Sequence, residues 1–215
     1  LEAFTREWGP IDDFRLGASD LNAPKTMNTH LHLLEAYTAV HRVAPDDASA
    51  RRLRYALEVL REKILDRSTG HLALFFDREW NSVANIVSFG HDIEASWLLW
   101  EAVEVLGDDA LADDVRPDVL ALAERCLEEG LDPAQYVRNE HDGASGHRDD
   151  AAVWWVQAEA LVGFLNAAAL SGDDPQPGGA GARPRPRQHR RPRYHLVVHG
   201  GAGQDRTADR ALPTA

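Results

Sequence analysis

The sequence predicts an all-α fold in which apolar and charged-faced helices alternate, as in a solenoid or a closed α/α toroid. Three observations predict it. Three strongly apolar stretches carry helical spacing, and charged-faced helical stretches separate them. The apolar stretches open at Asn28, His91 and Trp154, 63 positions apart each time. Even spacing of like elements marks a repeat architecture, in which a helix pair buries its apolar face only against neighbouring pairs.

Residues 1–26 read as loop, punctuated by Trp8-Gly9-Pro10, Asp12-Asp13, Gly17 and Pro24, with a brief strand at Phe14 to Leu16. From Met27 the pattern turns helical, with Leu31, Leu34 and Thr38 in line, and it ends near Ala44-Pro45. After Asp46-Asp47 a half-solvated helix runs from Ala50 to Leu65, Leu53, Leu57, Leu60 and Ile64 opposing Arg51, Arg54, Glu58 and Arg61. Thr69-Gly70 breaks it, and His71 to Asp77 reads as one arm of a small β-hairpin near 71–80. Asn85 to Ser88 and Gly90 read as loop. A helix with Ile93, Trp97, Val103 and Leu106 then runs to Gly107. A charged-faced helix follows to about Glu129, interrupted early by Pro117 and stopped at Gly130, and residues 131–150 read as loop. Ala152 to Leu170 reads as an apolar helix buried on most sides.

From Ser171 the composition changes to Gly, Pro and Arg, as in Gly178-Gly179-Ala180-Gly181-Ala182-Arg183-Pro184-Arg185-Pro186-Arg187. Such a segment has too little apolar area to bury and is expected to be disordered. Arg, Pro, Gly and Ala are also what shifted GC-rich codons encode, so an out-of-frame origin is the preferred reading over a linker or a tail for an anionic partner. The expected division is a helical domain over 1–170 and a low-complexity tail over 171–215.

Composition narrows the class. The chain has 215 residues, 44% of them hydrophobic, which is enough for a substantial core. Its net charge of −12 argues against nucleic acid or an anionic membrane as the main partner. The one cysteine, Cys126, falls in an apolar helical stretch, which excludes an internal disulfide or a thiolate metal cluster and suits a buried structural thiol. No apolar run reaches a membrane span and the first residues carry no signal pattern, so a cytoplasmic protein is expected. The chain starts at Leu1 and its one methionine is Met27, which we read as a cut or mis-called start.

His91 and Glu94 sit one turn apart at the mouth of their helix. Three residues apart they share a face, so the carboxylate can orient the imidazole while the helix N-terminus favours its neutral form. The plain alternative is a cap or a satisfied core histidine. In a closed toroid the inner-helix mouths converge, which would gather Asn28, His32, His91, Glu94, Trp154 and Gln157 around one pocket, with Glu35 a turn below His32. An aromatic face beside polar groups suits a sugar ring, whose C–H face stacks and whose hydroxyls need partners.

Met27-Asn28-Thr29-His30-Leu31-His32-Leu33-Leu34-Glu35-Ala36-Tyr37-Thr38, Phe89-Gly90-His91-Asp92-Ile93-Glu94 and Trp154-Trp155-Val156-Gln157-Ala158-Glu159-Ala160 resemble signature stretches of the N-acylglucosamine 2-epimerase superfamily, its cellobiose 2-epimerase branch in particular. The resemblance covers residues 1 to about 170 in order and spacing. It implies part of an (α/α)6 barrel of about twelve helices. It implies a disaccharide substrate epimerised at C2 of its reducing-end glucose, through ring opening, proton removal by a histidine, a cis-enediolate and reprotonation from the other face. By the same likeness His91 is an acid/base, Glu94 its orienter, and His32 a donor to the enediolate oxygens. Asn28, Asp20 and Trp154 become sugar contacts, no metal or organic cofactor is called for, and the intact enzyme is expected to be a monomer.

Two family features are missing from the sequence: a C-terminal stretch of the type Lys-Cys-Pro-Tyr-His with the second acid/base histidine, and the first barrel helices with a site arginine. Little or no epimerase activity is therefore expected of these 215 residues. An open run of helices is also expected to expose Trp97, Trp100 and Trp155 and to favour aggregation. Three other readings remain: N-acylglucosamine 2-epimerase or mannose isomerase activity on the same fold, a non-catalytic α/α scaffold, and a di-metal bundle using the His32/Glu35 and His91/Glu94 pairs.

Overall fold

A computed structural model describes residues 2–15 and 21–172, and it is dominated by five helices. Helix α1 spans Met27–Val43, α2 Asp47–Val59, α3 Phe89–Leu106, α4 Asp109–Arg125 and α5 Trp154–Ser171. Helices α2 and α4 each run on into a single π-helical turn, Leu60–Ile64 and Cys126–Gly130. The three apolar helices thus begin at 27, 89 and 154, close to the even spacing expected.

Local chemistry fixes most of the helix starts. Thr26 Oγ1 accepts from the Thr29 amide at 3.2 Å, and Asp108 Oδ1 accepts from the Leu111 amide at 3.1 Å. Asp46 and Ser49 form a reciprocal capping box. Helix α3 stops at Gly107, whose φ of 62° is left-handed and costs glycine little. Pro117 does not interrupt α4 as expected. The carbonyl that loses its donor belongs to the exposed Asp113, where solvent can take the donor's place.

Helix α3 is the hub. It packs against α1 and α5, and α2 and α4 also lie against it. Two apolar clusters meet on it: Leu31, Leu34, Leu53, Leu57 and Val119 gather with Leu98, Leu99 and Val103, while Phe89 and Ile93 pack with Val156, Ala160 and Ala167 of α5. Close approach between α3 and α5 depends on two glycines. A Cβ on Gly163 would lie 2.5 Å from Ile93 Cγ1 and 2.7 Å from its carbonyl oxygen, and one on Gly90 would lie 2.6 Å from the Trp155 ring.

Small antiparallel sheets fill the helix mouths. Strand β1 (Lys25–Thr26) pairs with β4 (Phe75–Phe76), β2 (Leu65–Asp66) with β3 (His71–Leu72), and β5 (Ile86–Ser88) with β6 (Glu140–Asp142), which in turn pairs with β7 (Arg148–Asp149). The expected hairpin arm over 71–77 is therefore split between two partners. The segment 131–150, expected to be loop, contributes β6 and β7. At the expected strand near Phe14, that residue and Arg15 have no regular structure and Leu16 lies outside the described residues; the Phe14 amide instead donates to Asn22 Oδ1 at 2.8 Å.

Burial departs from expectation along α5. Leu161, Val162 and Leu165 are 51%, 47% and 58% exposed, because no described element covers that face. Trp100 is buried instead of exposed, and Trp97 and Trp155 are half-buried. Cys126 is free and buried, and burial, then the charge of Asp92, push its thiol pKa well up. Among the described residues no helix is long and apolar enough to cross a membrane. The expected tail over 171–215 lies outside the described residues apart from its first two positions.

Candidate active site

The mouths of α1 and α3 open into a cavity of about 580 Å³. Asn28 lines it from the first turn of α1, His91 from the first turn of α3, Phe75 from β4, Ile86 from β5 and Glu140 from β6. Arg15 and Leu21 lie on either side of the undescribed segment 16–20, and both also line the cavity. Asp20 itself lies outside the described residues.

The His91 ring is held from two sides. Ser88 Oγ lies 2.8 Å from Nδ1, and the Trp155 ring lies 4.9 Å away centroid to centroid, tilted by 53°. Burial, followed by the nearby charge of His32, pushes the His91 pKa down from 6.5 to about 4, so the imidazole is neutral at pH 7. The contact at Nδ1 comes from Ser88, three residues before His91, and not from Glu94, three residues after it.

Glu94 stands in an acidic locality of its own. Its pKa is raised from 4.5 to about 7, chiefly by burial and then by the charge of Glu159, with His32 opposing and Glu35 adding to the rise. Glu159 is oriented by the Trp97 indole N–H, which donates to it at 2.8 Å. His32 is exposed and pairs with Glu35, with Nδ1 3.2 Å from the carboxylate. Since His32 acts on both His91 and Glu94, the structure brings these three residues into one electrostatic neighbourhood.

The remaining sequence-derived residues are placed differently. Trp154 is 80% exposed, and its neighbour Trp155 is the aromatic ring that meets His91. The Gln157 amide is engaged with the backbone of Val137, accepting at 2.9 Å and donating at 2.7 Å, which ties α5 to the segment leading into β6. Asp92, next to His91, lies at 0% exposure and does not line the cavity; it meets His71 Nδ1 at 2.7 Å and accepts from the Leu72 amide at 2.9 Å. Burial would lower the His71 pKa, but the hydrogen bond and charge of Asp92, aided by Glu129, raise it.

Ser88, Trp155, Glu140 and Glu159 are among the site-lining or site-supporting residues to which the sequence reading gave no role. Ser88 adjoins a quoted motif, and Trp155 and Glu159 lie inside one, so their positions offered a signal. Glu140 offered none, because its strand is polar throughout. Among the described residues no group of three or more His, Cys, Asp or Glu side chains is placed to hold a metal ion.

Comparisons with known proteins place the chain in a family. The family model for N-acylglucosamine 2-epimerase (GlcNAc 2-epimerase) matches residues 12–179. The chain is 48% identical over 172 residues to a cellobiose 2-epimerase of Bacteroides fragilis, covering 80% of this chain and 44% of that protein. Its structure is similar to the crystal structure of a sugar epimerase from a ruminal bacterium, with TM-score 0.74 and 40% identity, covering 80% of this chain and 43% of the other. It is also similar to the cellobiose 2-epimerase of Bacillus thermoamylovorans B4167, with TM-score 0.72 and 35% identity over the same shares. The chain spans less than half the length of the curated relatives it matches. With most of its length matched by the family model, and with the stretches that carry His32, His91 and Glu94 inside that match, the chain belongs to the N-acylglucosamine 2-epimerase family.

Proposed function

We propose that these residues form one side of a sugar 2-epimerase site that takes the reducing end of a β-1,4-linked disaccharide of the cellobiose type. The observation that carries the proposal is a neutral, largely enclosed His91 lining a cavity of about 580 Å³ together with Asn28. The names of the curated relatives support the same reading, as they are cellobiose 2-epimerases.

The chemistry follows from the acidity of a C–H bond next to a carbonyl, which is too weak for water to break at a useful rate. In the open-chain sugar, His91 takes the C2 proton on Nε2, since Nδ1 is engaged by Ser88. The C–H electron pair becomes the C1=C2 bond of a cis-enediolate, and the carbonyl electrons move onto O1. Negative charge beside the ring raises the affinity of His91 for that proton and compensates for its low resting pKa. His32 and Asn28 donate to the enediolate oxygens. Glu94, one turn along α3 with its pKa about 7, exchanges protons readily at neutral pH. Return of a proton to the opposite face of C2 completes the inversion, and we assign that step to a group beyond those described. The five helices are read as consecutive members of an (α/α)6 barrel.

This division of labour is testable in D2O by NMR. The chain incubated with cellobiose is expected to put deuterium at C2 of the reducing-end glucose, while mannose-terminated product stays far below the rate of an intact epimerase. His91→Asn is expected to abolish the exchange. Exchange no faster than in that variant, or product formed at the rate of an intact enzyme, would overturn the assignment.

A further inference from the structure

We infer that Ser88 is a positioning residue for His91: it forgoes capping α3 in order to accept the His91 Nδ1 proton, and so keeps the Nε2 lone pair directed at the sugar. The inference rests on the reading of His91 as the proton-transfer group.

Four observations carry it. Thr26, Asp46 and Asp108 cap α1, α2 and α4 with their side chains, whereas Ser88 occupies the N-cap of α3 and makes no side-chain cap. Serine is among the strongest N-cap residues, and its cap is worth about 1 kcal/mol over alanine, so a bond elsewhere has to offset that loss. The hydroxyl instead lies 2.8 Å from His91 Nδ1, and Ser88 is 1% exposed, so water does not compete for it. Finally, Ser88 is not on a loose loop: it is the last residue of β5, paired in register with Glu140 of β6, another residue that lines the cavity.

The proposed proton transfer requires one tautomer, and the Ser88 hydroxyl is placed to accept from it. A neutral imidazole carries one proton, and a base at Nε2 must carry it on Nδ1. The Nδ1–H then donates to Ser88 Oγ, with the Trp155 ring packed against the imidazole 4.9 Å away centroid to centroid. Without the serine acceptor, nothing described at Nδ1 opposes the Nε2–H form, in which the cavity-facing nitrogen is a donor and not a base.

Imidazole 15N NMR at pH 7 on the chain as it stands tests this without relying on turnover. Wild-type His91 is expected in the Nδ1–H form, Ser88→Ala is expected to move it toward Nε2–H, and Ser88→Thr is expected to restore the first pattern. In the C2 exchange assay, Ser88→Ala is expected to lower the rate on the order of tenfold at saturating cellobiose with little change in KM, and threonine to rescue it. A wild-type ring in the Nε2–H form overturns the inference even if the alanine variant fails to fold. An alanine variant that folds with its tautomer unchanged also overturns it. A tautomer that shifts as expected in a chain showing no C2 exchange leaves Ser88 as the positioning residue and counts against the epimerase reading alone.

Discussion

Glu94 and His91 are one turn apart, and their surroundings push their proton affinities in opposite directions. Glu94 titrates near 7 in the folded chain against an ordinary 4.5, so between those pH values the folded state keeps a proton that the unfolded state has released. Its contribution to stability therefore falls as pH rises through that window. His91 titrates near 4 against 6.5, and its contribution rises with pH from 4 to 6.5. Each group shifts by one proton, so the two trends offset one another where the windows overlap. Replacing Glu94 by Gln removes the falling trend. The variant is expected to gain on wild type between pH 5 and pH 8 in urea denaturation; an equal difference at both pH values would show that Glu94 is an ordinary solvated carboxyl. That His91 and Glu94 stand one turn apart in α3 was legible in the sequence from helical spacing, but the expected contact between them is not made. The contact at Nδ1 was not legible, because Ser88 and Glu94 are both three residues from His91, and the sequence does not say which side chain reaches the ring.

Helix α3 carries His91 at the cavity and Asp92 at the His71 contact, and α5 packs closely against it. At the crossing, Gly163 sits over Ile93, with the nearest obstacles a side-chain carbon and a backbone oxygen. A Gly163→Ala change gains about 1 kcal/mol in helix propensity. Overpacking against atoms that cannot move independently costs about 1–3 kcal/mol. The second effect is expected to dominate, so the variant should unfold at lower urea than wild type, and an unchanged or higher midpoint would mean that the two helices can separate without loss. Helices were the readable elements, since the apolar period in α1, α3 and α5 survives any tertiary context. Strands β6 and β7 were hidden: Glu140-His141-Asp142 has no apolar alternation, and only pairing with Ile86–Ser88 reveals it as a strand. Pro117 misled in the other direction, because a breaker signal carries no information about whether the freed carbonyl faces solvent.

Taken whole, the described chain is an arrangement centred on α3, with apolar positions of α5 left uncovered at Leu161, Val162 and Leu165. The even spacing of the apolar helices was visible in the sequence, and Asn28 and His91 line one cavity although they are far apart along the chain. Which flanks would be covered was not readable, because burial depends on neighbours that periodicity does not name: Trp100 is buried, while three aliphatic residues of α5 are not. The exposed Trp154 shows the same limit, since spacing identifies a tryptophan pair and not which of the two rings turns toward His91. The account as a whole requires that His32 and His91 serve a single sugar. Titrating the chain with cellobiose while following both imidazole resonances by NMR tests that requirement most directly. Both rings are expected to shift together along one saturation curve, and a response from one ring without the other, or from neither, would contradict the shared site.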